Sequence, residues 1–214
     1  MTTRYVAGIP IPDSAMARAA TELMRDNQSS LLFDAARRTF VFARLLGNSR
    51  ELRHDPELLY IAALFLRIGV TGLYRHSQQR YEIDSADAAA AFLSGYGRSR
   101  EDIGQVWDAV ALHTTPGIPA HKPPMTALLS AAVDTDMLGT YSQALCPGAI
   151  DRIFREFPRE PGFKIKFLHT LALGQLHRPH STFGTVNADV LAFHDRHMKV
   201  GGFCEQVLAS KWPY

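Results

Sequence analysis

The stretch Asp55-Pro56-Glu57-Leu58-Leu59-Tyr60-Ile61-Ala62-Ala63-Leu64-Phe65-Leu66-Arg67 decides the fold. It opens with a capping Asp, a Pro at the first helical position and an acid that suits the positive end of the helix dipole. The run that follows is apolar on nearly every side, which fits a helix surrounded by other helices rather than one lying on a surface. It is too short for a membrane span and is closed by Arg67.

Working outward, the helical signals continue in both directions. Asp13-Ser14 after Pro12 predicts a first helix with Ala15, Ala19, Leu23 and Met24 on one stripe, running to about Asp26. Ser29 or Ser30 caps a second, carrying Leu31, Leu32, Ala35, Thr39, Phe42 and Leu46 on one face and Arg37, Arg38 and Arg44 on the other, with Gly47-Asn48 as its stop. After an irregular loop expected over Gly69 to Glu82, Asp84 or Ser85 opens an Ala-rich helix that ends at Gly95. Ser99 caps another that carries Val106, Trp107 and Val110, with His113 at its end. A loop over Thr114 to Pro124 precedes the apolar run Met125 to Leu138, which contains Asp134 and Asp136. Further helices are predicted around Ile150–Phe157, Phe163–Leu176 and Val186–Lys199; no strand, repeat or linker is expected. The fold class is therefore all-α, a single helical domain over residues 1–214.

Composition narrows the function. With 214 residues, 46% hydrophobic and 21% charged, the chain can bury a core without disulfides or a structural metal. Lys and Arg number 23 against 21 Asp and Glu, too balanced and too scattered for an electrostatic nucleic-acid binder. Cys146 and Cys204 lie far apart without CxxC spacing, so a reducing cytoplasm is the simplest setting. The N-terminal residues lack the apolar core of a signal peptide, and no membrane partner is expected.

Several residues stand out as chemistry. His113 is followed by Thr114-Thr115-Pro116-Gly117, Asp134 and Asp136 interrupt an apolar helix, and Arg67 emerges from another. Asp134 and Asp136 are next but one on a helix and point in different directions, which rules out a paired-carboxylate dyad and leaves Asp136 as the pocket-facing member.

The chain resembles the HD-domain superfamily, and within it the cyanamide hydratase-like branch. The likeness runs from about Ile11 to Asp189. It rests on Ile11-Pro12-Asp13-Ser14, the stretch Asp55 to Leu64, Arg80-Tyr81-Glu82-Ile83-Asp84, Trp107-Asp108-Ala109-Val110-Ala111-Leu112-His113-Thr114-Thr115-Pro116-Gly117-Ile118, and Asp134-Thr135-Asp136-Met137-Leu138-Gly139. The resemblance implies an HD-type helical bundle, a small-molecule substrate, and a pocket lined by the loops 69–82 and 114–124. Relatives of that branch carry zinc and often associate, which makes a homo-oligomer an open expectation. Here Ala35 stands where the resemblance implies a zinc-binding His, and Leu66-Arg67 where it implies the His-Asp pair. Only Asp136 remains, and one carboxylate does not hold zinc, so no metal and no cofactor are expected.

The sequence thus suggests a metal-independent enzyme of lyase, isomerase or cyclase type. His113, Glu82 and Asp136 are its candidate catalytic residues, and Arg67, Thr114 and Thr115 its candidate substrate-binding residues. Each has a plainer alternative: His113 as a helix-end histidine bonded to carbonyls, Glu82 as a partner of Arg80 or a helix-start acid, and Arg67 as the ion-pair partner of Asp136 in place of a metal. A non-catalytic HD-type protein binding a metabolite or a partner chain is the competing reading. The pairs His177/His180 and His194/His197 invite a metal reading that a Pro and a solvated helix, respectively, make weak.

Overall fold

Asp55 caps the central helix as its sequence requires, its carboxylate accepting from the backbone N–H of Glu57 at 2.8 Å and of Leu58 at 3.0 Å. The computed structural model describes residues 4–198 and 200–210. Its helices are α1 (Ala15–Asn27), α2 (Ser30–Ser49), α3 (Pro56–Phe65), α4 (Tyr81–Gly95), α5 (Arg100–Leu112), α6 (Pro124–Leu138), α7 (Pro147–Glu156), α8 (Phe163–Leu173), α9 (Val186–His194) and α10 (Phe203–Leu208). Every residue of α3 from Leu58 to Phe65 is buried, and α1, α2, α4, α5 and α6 all pack against it. The all-α class is thereby established. No helix among the described residues is long and apolar enough to cross a membrane.

The caps expected at Ser14, Ser29, Asp55 and Ser99 are in place. Four expectations are corrected. Gly47 does not stop α2, which continues to Ser49; a side chain at Gly47 would meet the His54 ring at 2.6 Å, so its glycine serves close packing. The segment 69–82 is not an irregular loop throughout: it forms 3₁₀ turns at Ile68–Val70 and Gly72–Tyr74, and α4 begins at Tyr81 rather than Asp84. Arg38, expected on the outer face of α2, is fully buried. A two-residue antiparallel hairpin, β1 (Tyr5–Val6) and β2 (Ile9–Pro10), turns through Ala7 and Gly8 with φ of +50° and +83°, a local turn chemistry that period counting does not register. The helix α9 stops at His194; Lys199, its expected end, and the N-terminal residues 1–3 lie outside the described residues.

Two apolar clusters form. The larger surrounds α3. The smaller joins Leu32 and Ala35 of α2, Val70, Tyr81 of α4, and Phe163, Phe167 and Leu171 of α8. Arg178, itself buried, stitches this region together: its guanidinium pairs with Asp84 and donates to the carbonyls of Gly69, of Gln79 at 2.9 Å and of Gly174 at 3.3 Å. The turns between α3 and α4 are thus held against the end of α8. At that contact a Cβ on Gly174 would lie 2.4 Å from the Val70 carbonyl oxygen, leaving no space for a side chain. Gly174→Ala is expected to destabilise the fold by about 1–3 kcal/mol through overpacking. Gly104→Ala, at an open position within α5, should stabilise it by about 0.5–1 kcal/mol. Denaturant midpoints of the two variants check this pair.

Candidate functional site

The candidate residues arrive from separate elements. Arg67 follows α3 and leads into the first 3₁₀ turn, Tyr81 and Glu82 occupy the first turn of α4, and His113 caps α5. Asp136 lies in the last turn of α6. All five are buried.

Glu82 is anchored through one oxygen. Its Oε1 accepts from Asn187 Nδ2 at 2.7 Å, from Arg80 Nη2 at 3.2 Å and from the Thr114 hydroxyl. Its Oε2 is buried and carries no hydrogen bond among the described residues. Burial alone would push the carboxyl up; His113, Thr114 and Arg80 outweigh it and hold Glu82 below the usual carboxylate range. The expected contact with Arg80 is therefore present, but it uses only half of the carboxylate.

His113 is fixed at both ring nitrogens. Nδ1 lies 2.6 Å from the Val110 carbonyl, an acceptor only, so Nδ1 carries the proton and Nε2 accepts from the Tyr81 hydroxyl at 3.2 Å. Burial, with Arg67 nearby, pushes its pKa down to about 4. At neutral pH the ring is uncharged. Burial and Glu82 raise the Tyr81 phenol far above its ordinary value, so Tyr81 remains a proton donor.

Asp136 and Arg67 do not form the expected ion pair. Asp136 Oδ1 instead accepts from Arg38 Nε at 2.9 Å and from Arg159 Nη2 at 2.9 Å. Arg38 also donates to the Phe157 carbonyl at 3.2 Å. The reason is position: Arg38 faces inward from α2 toward α6, and α2 and α6 pack closely. Arg67 is 3% exposed, its Nη1 is buried without a hydrogen bond, and it has no ion pair among the described residues. Its guanidinium lies over the Phe167 ring, 5.1 Å from the centroid. Burial pushes its pKa down, with Tyr81 and Asp136 acting in the other direction.

Thr114 points its hydroxyl at Glu82, whereas Thr115 closes the end of α5 through its backbone N–H to Leu112 at 2.9 Å. Asp134 is half-buried and apart from this group. Tyr81, Asn187, Arg38 and Arg159 are members that residue type and spacing did not single out. Tyr81 lay within a quoted motif beside Glu82; Asn187, Arg38 and Arg159 come from distant elements and left no local signal.

The residues do not fit a zinc ion. Ala35 is fully buried in the smaller apolar cluster with Tyr81 and Phe167, Asp136 has two guanidinium groups on its Oδ1, and Arg67 offers only donors. Among the described residues no three His, Cys, Asp or Glu side chains converge on a common point, and this covers both histidine pairs named above. A surface cleft of about 240 Å³, lined chiefly by Met137, Leu138, Phe163, Phe167 and Leu168, meets the cluster at Phe167. Of the two loops expected to line the pocket, 69–82 contributes Val70, Thr71, Gly72 and Arg75 to a separate cleft of about 240 Å³ against α8, and 114–124 lines neither. No family model matches the chain, and no curated protein matches it.

Removing an unpaired buried charge should not cost stability, whereas removing one partner of a buried pair should. Arg67→Met is expected to leave the unfolding midpoint unchanged or raised, and Arg38→Met to cost about 3 kcal/mol. His113 sets a pH dependence of its own. The unfolded side chain takes up a proton near its ordinary value of 6.5 and the folded one only near about 4. Between these the unfolded chain binds more protons, so the His113 contribution is fully present above pH 6.5 and is lost as pH falls toward 4. His113→Gln should flatten that slope by up to about 1.4 kcal/mol per pH unit, read from denaturant midpoints across the window.

Proposed function

We propose that this chain is an HD-type bundle whose metal position has been rebuilt around Arg67, and that it is an enzyme acting on a small substrate bearing a carbonyl or an anionic oxygen. The observation that carries this reading is the guanidinium of Arg67, buried without a carboxylate partner among the described residues. A buried cation in that state is costly, and a planar oxygen group offered by a ligand removes the cost while engaging the guanidinium fork.

The neighbouring groups supply acid–base chemistry. Glu82 is ionised, with one free and buried oxygen, and serves as the base that takes a proton from the carbon next to the substrate carbonyl. The electron pair moves toward the carbonyl oxygen, where Arg67 stabilises the developing negative charge. The protonated Glu82 carboxyl then returns the proton to the rearranged substrate, while Tyr81, its hydroxyl donating to neutral His113, is held in place beside it. His113 acts here through Tyr81 and Asp136 through the arginines it holds, so both are positioning residues. Enolate-forming lyase, isomerase and cyclase reactions share this first proton transfer.

A second reading, a binding protein without turnover, has one observation in its favour: both ring nitrogens of His113 are occupied within the protein. The two readings part on hydrogen exchange. Small oxo acids and carbonyl compounds that raise the melting temperature are incubated with the protein in D2O and followed by proton NMR. Enzyme-dependent deuterium uptake at the carbon next to the carbonyl, lost by at least about 100-fold in Glu82→Gln while Arg67→Gln loses binding, is the expected result. Binding without exchange would establish the second reading.

A further inference from the structure

Phe167 belongs to two places at once. One contact of its ring is the unpaired guanidinium of Arg67, and the ring is also part of the wall of the 240 Å³ cleft between the end of α6 and α8. The rest of that wall is almost wholly hydrocarbon, from Met137, Leu138, Phe163 and Leu168. Its charged members are Arg159 and Lys164, both cations. An apolar slot bearing positive charge only, backed by a buried cation, is complementary to a molecule that is apolar at one end and anionic at the other.

We infer that the ligand of the Arg67 site is an apolar carboxylate, its acid group on the Arg67 guanidinium and its hydrocarbon body in the cleft beyond Phe167. The inference rests on the reading of Arg67 given above and extends it to the class of substrate. In the free protein the Arg67 guanidinium rests against the face of Phe167; a carboxylate arriving through the cleft replaces that face by two parallel N–H···O bonds as the ring turns aside. Cleft size limits the body. At about 30 Å³ for a group the size of a water molecule, 240 Å³ accommodates about eight such groups. Arg159 is held by Asp136 and stacked against Phe154 and Phe163 at 4.7 and 4.8 Å, which leaves it as a fixed part of the wall rather than a free anchor. Among the described residues Lys164 has no such fixing, and it attracts the anion as it approaches.

The test is a series of straight-chain acids, butyrate, hexanoate and octanoate, with octanol as the uncharged control, titrated calorimetrically into the whole protein. Affinity is expected to rise about fourfold for each added methylene, and octanol to bind far more weakly than octanoate. Arg67→Gln should abolish binding of all three acids. Leu138 is 75% exposed, so Leu138→Glu leaves the core intact; it should weaken octanoate at least about tenfold and leave butyrate nearly unchanged. If the acids bind with equal affinity and still need Arg67, the anchor stands and the cleft assignment is overturned. If octanoate binding survives Arg67→Gln and is lost in Lys164→Gln, the acid group sits at the surface and the proposal is wrong. Failure of every acid to bind the wild-type chain overturns the substrate class, while a carbonyl compound that still binds through Arg67 would leave the reading of that residue intact.

Discussion

The arrangement of the site depends on a competition for one carboxylate. Asp136 is buried in α6, and an unpaired charge there would be strongly destabilising. Two guanidinium groups reach it, Arg38 from α2 and Arg159 from beyond α7, each at 2.9 Å. Both are also placed against aromatic rings, Arg159 over Phe154 and Phe163 and Arg38 4.9 Å from the Phe163 centroid, so their positions are fixed by packing as well as by charge. With Asp136 taken, Arg67 is left without an anion. The buried charges balance in number, Arg38, Arg67 and Arg178 against Glu82, Asp84 and Asp136, but not in pairing: Arg67 has no ion pair among the described residues.

A second constraint positions Tyr81 and Glu82. Tyr81 and Glu82 stand in the first turn of α4, and the start of that helix is held by the buried Arg178–Asp84 pair and by the carbonyls that Arg178 gathers from Gly69, Gln79 and Gly174. Helical geometry then turns Tyr81 toward His113 and Glu82 toward Thr114 and Asn187. Three donors satisfy Glu82 Oε1, and His113, Thr114 and Arg80 together hold the carboxyl below its usual range in spite of burial, leaving Oε2 free. In a low-dielectric interior such a free oxygen is costly, as is the unpaired Arg67. Both groups adjoin Tyr81, whose phenol feels the charge of each.

Much of the scaffold was legible because it follows from local rules. Ser14, Ser29, Asp55 and Ser99 cap where their side chains reach a backbone N–H three residues on, or two and three on for Asp55, and the all-round apolar run of α3 can only lie at a centre. The failures were also local in origin. Gly47 reads as a stop until the His54 ring is seen to occupy the space a side chain would need. Arg38 reads as a surface residue because arginine usually is one; only the approach of α6 supplies the carboxylate that permits its burial.

For the candidate site the division is the same. The sequence by itself determined that Arg67 follows a buried helix, that His113 ends α5, and that Asp136 rather than Asp134 faces inward. Each follows from helical periodicity or from the donor chemistry of a side chain, which are properties of short segments. Tertiary structure alone decided that Asp136 belongs to Arg38 and Arg159, that Phe167 covers Arg67, and that Asn187 reaches Glu82 across 105 positions. Pairings between distant elements depend on helix packing angles and on which cations that packing brings within hydrogen-bond range, and a linear pattern of residues carries neither.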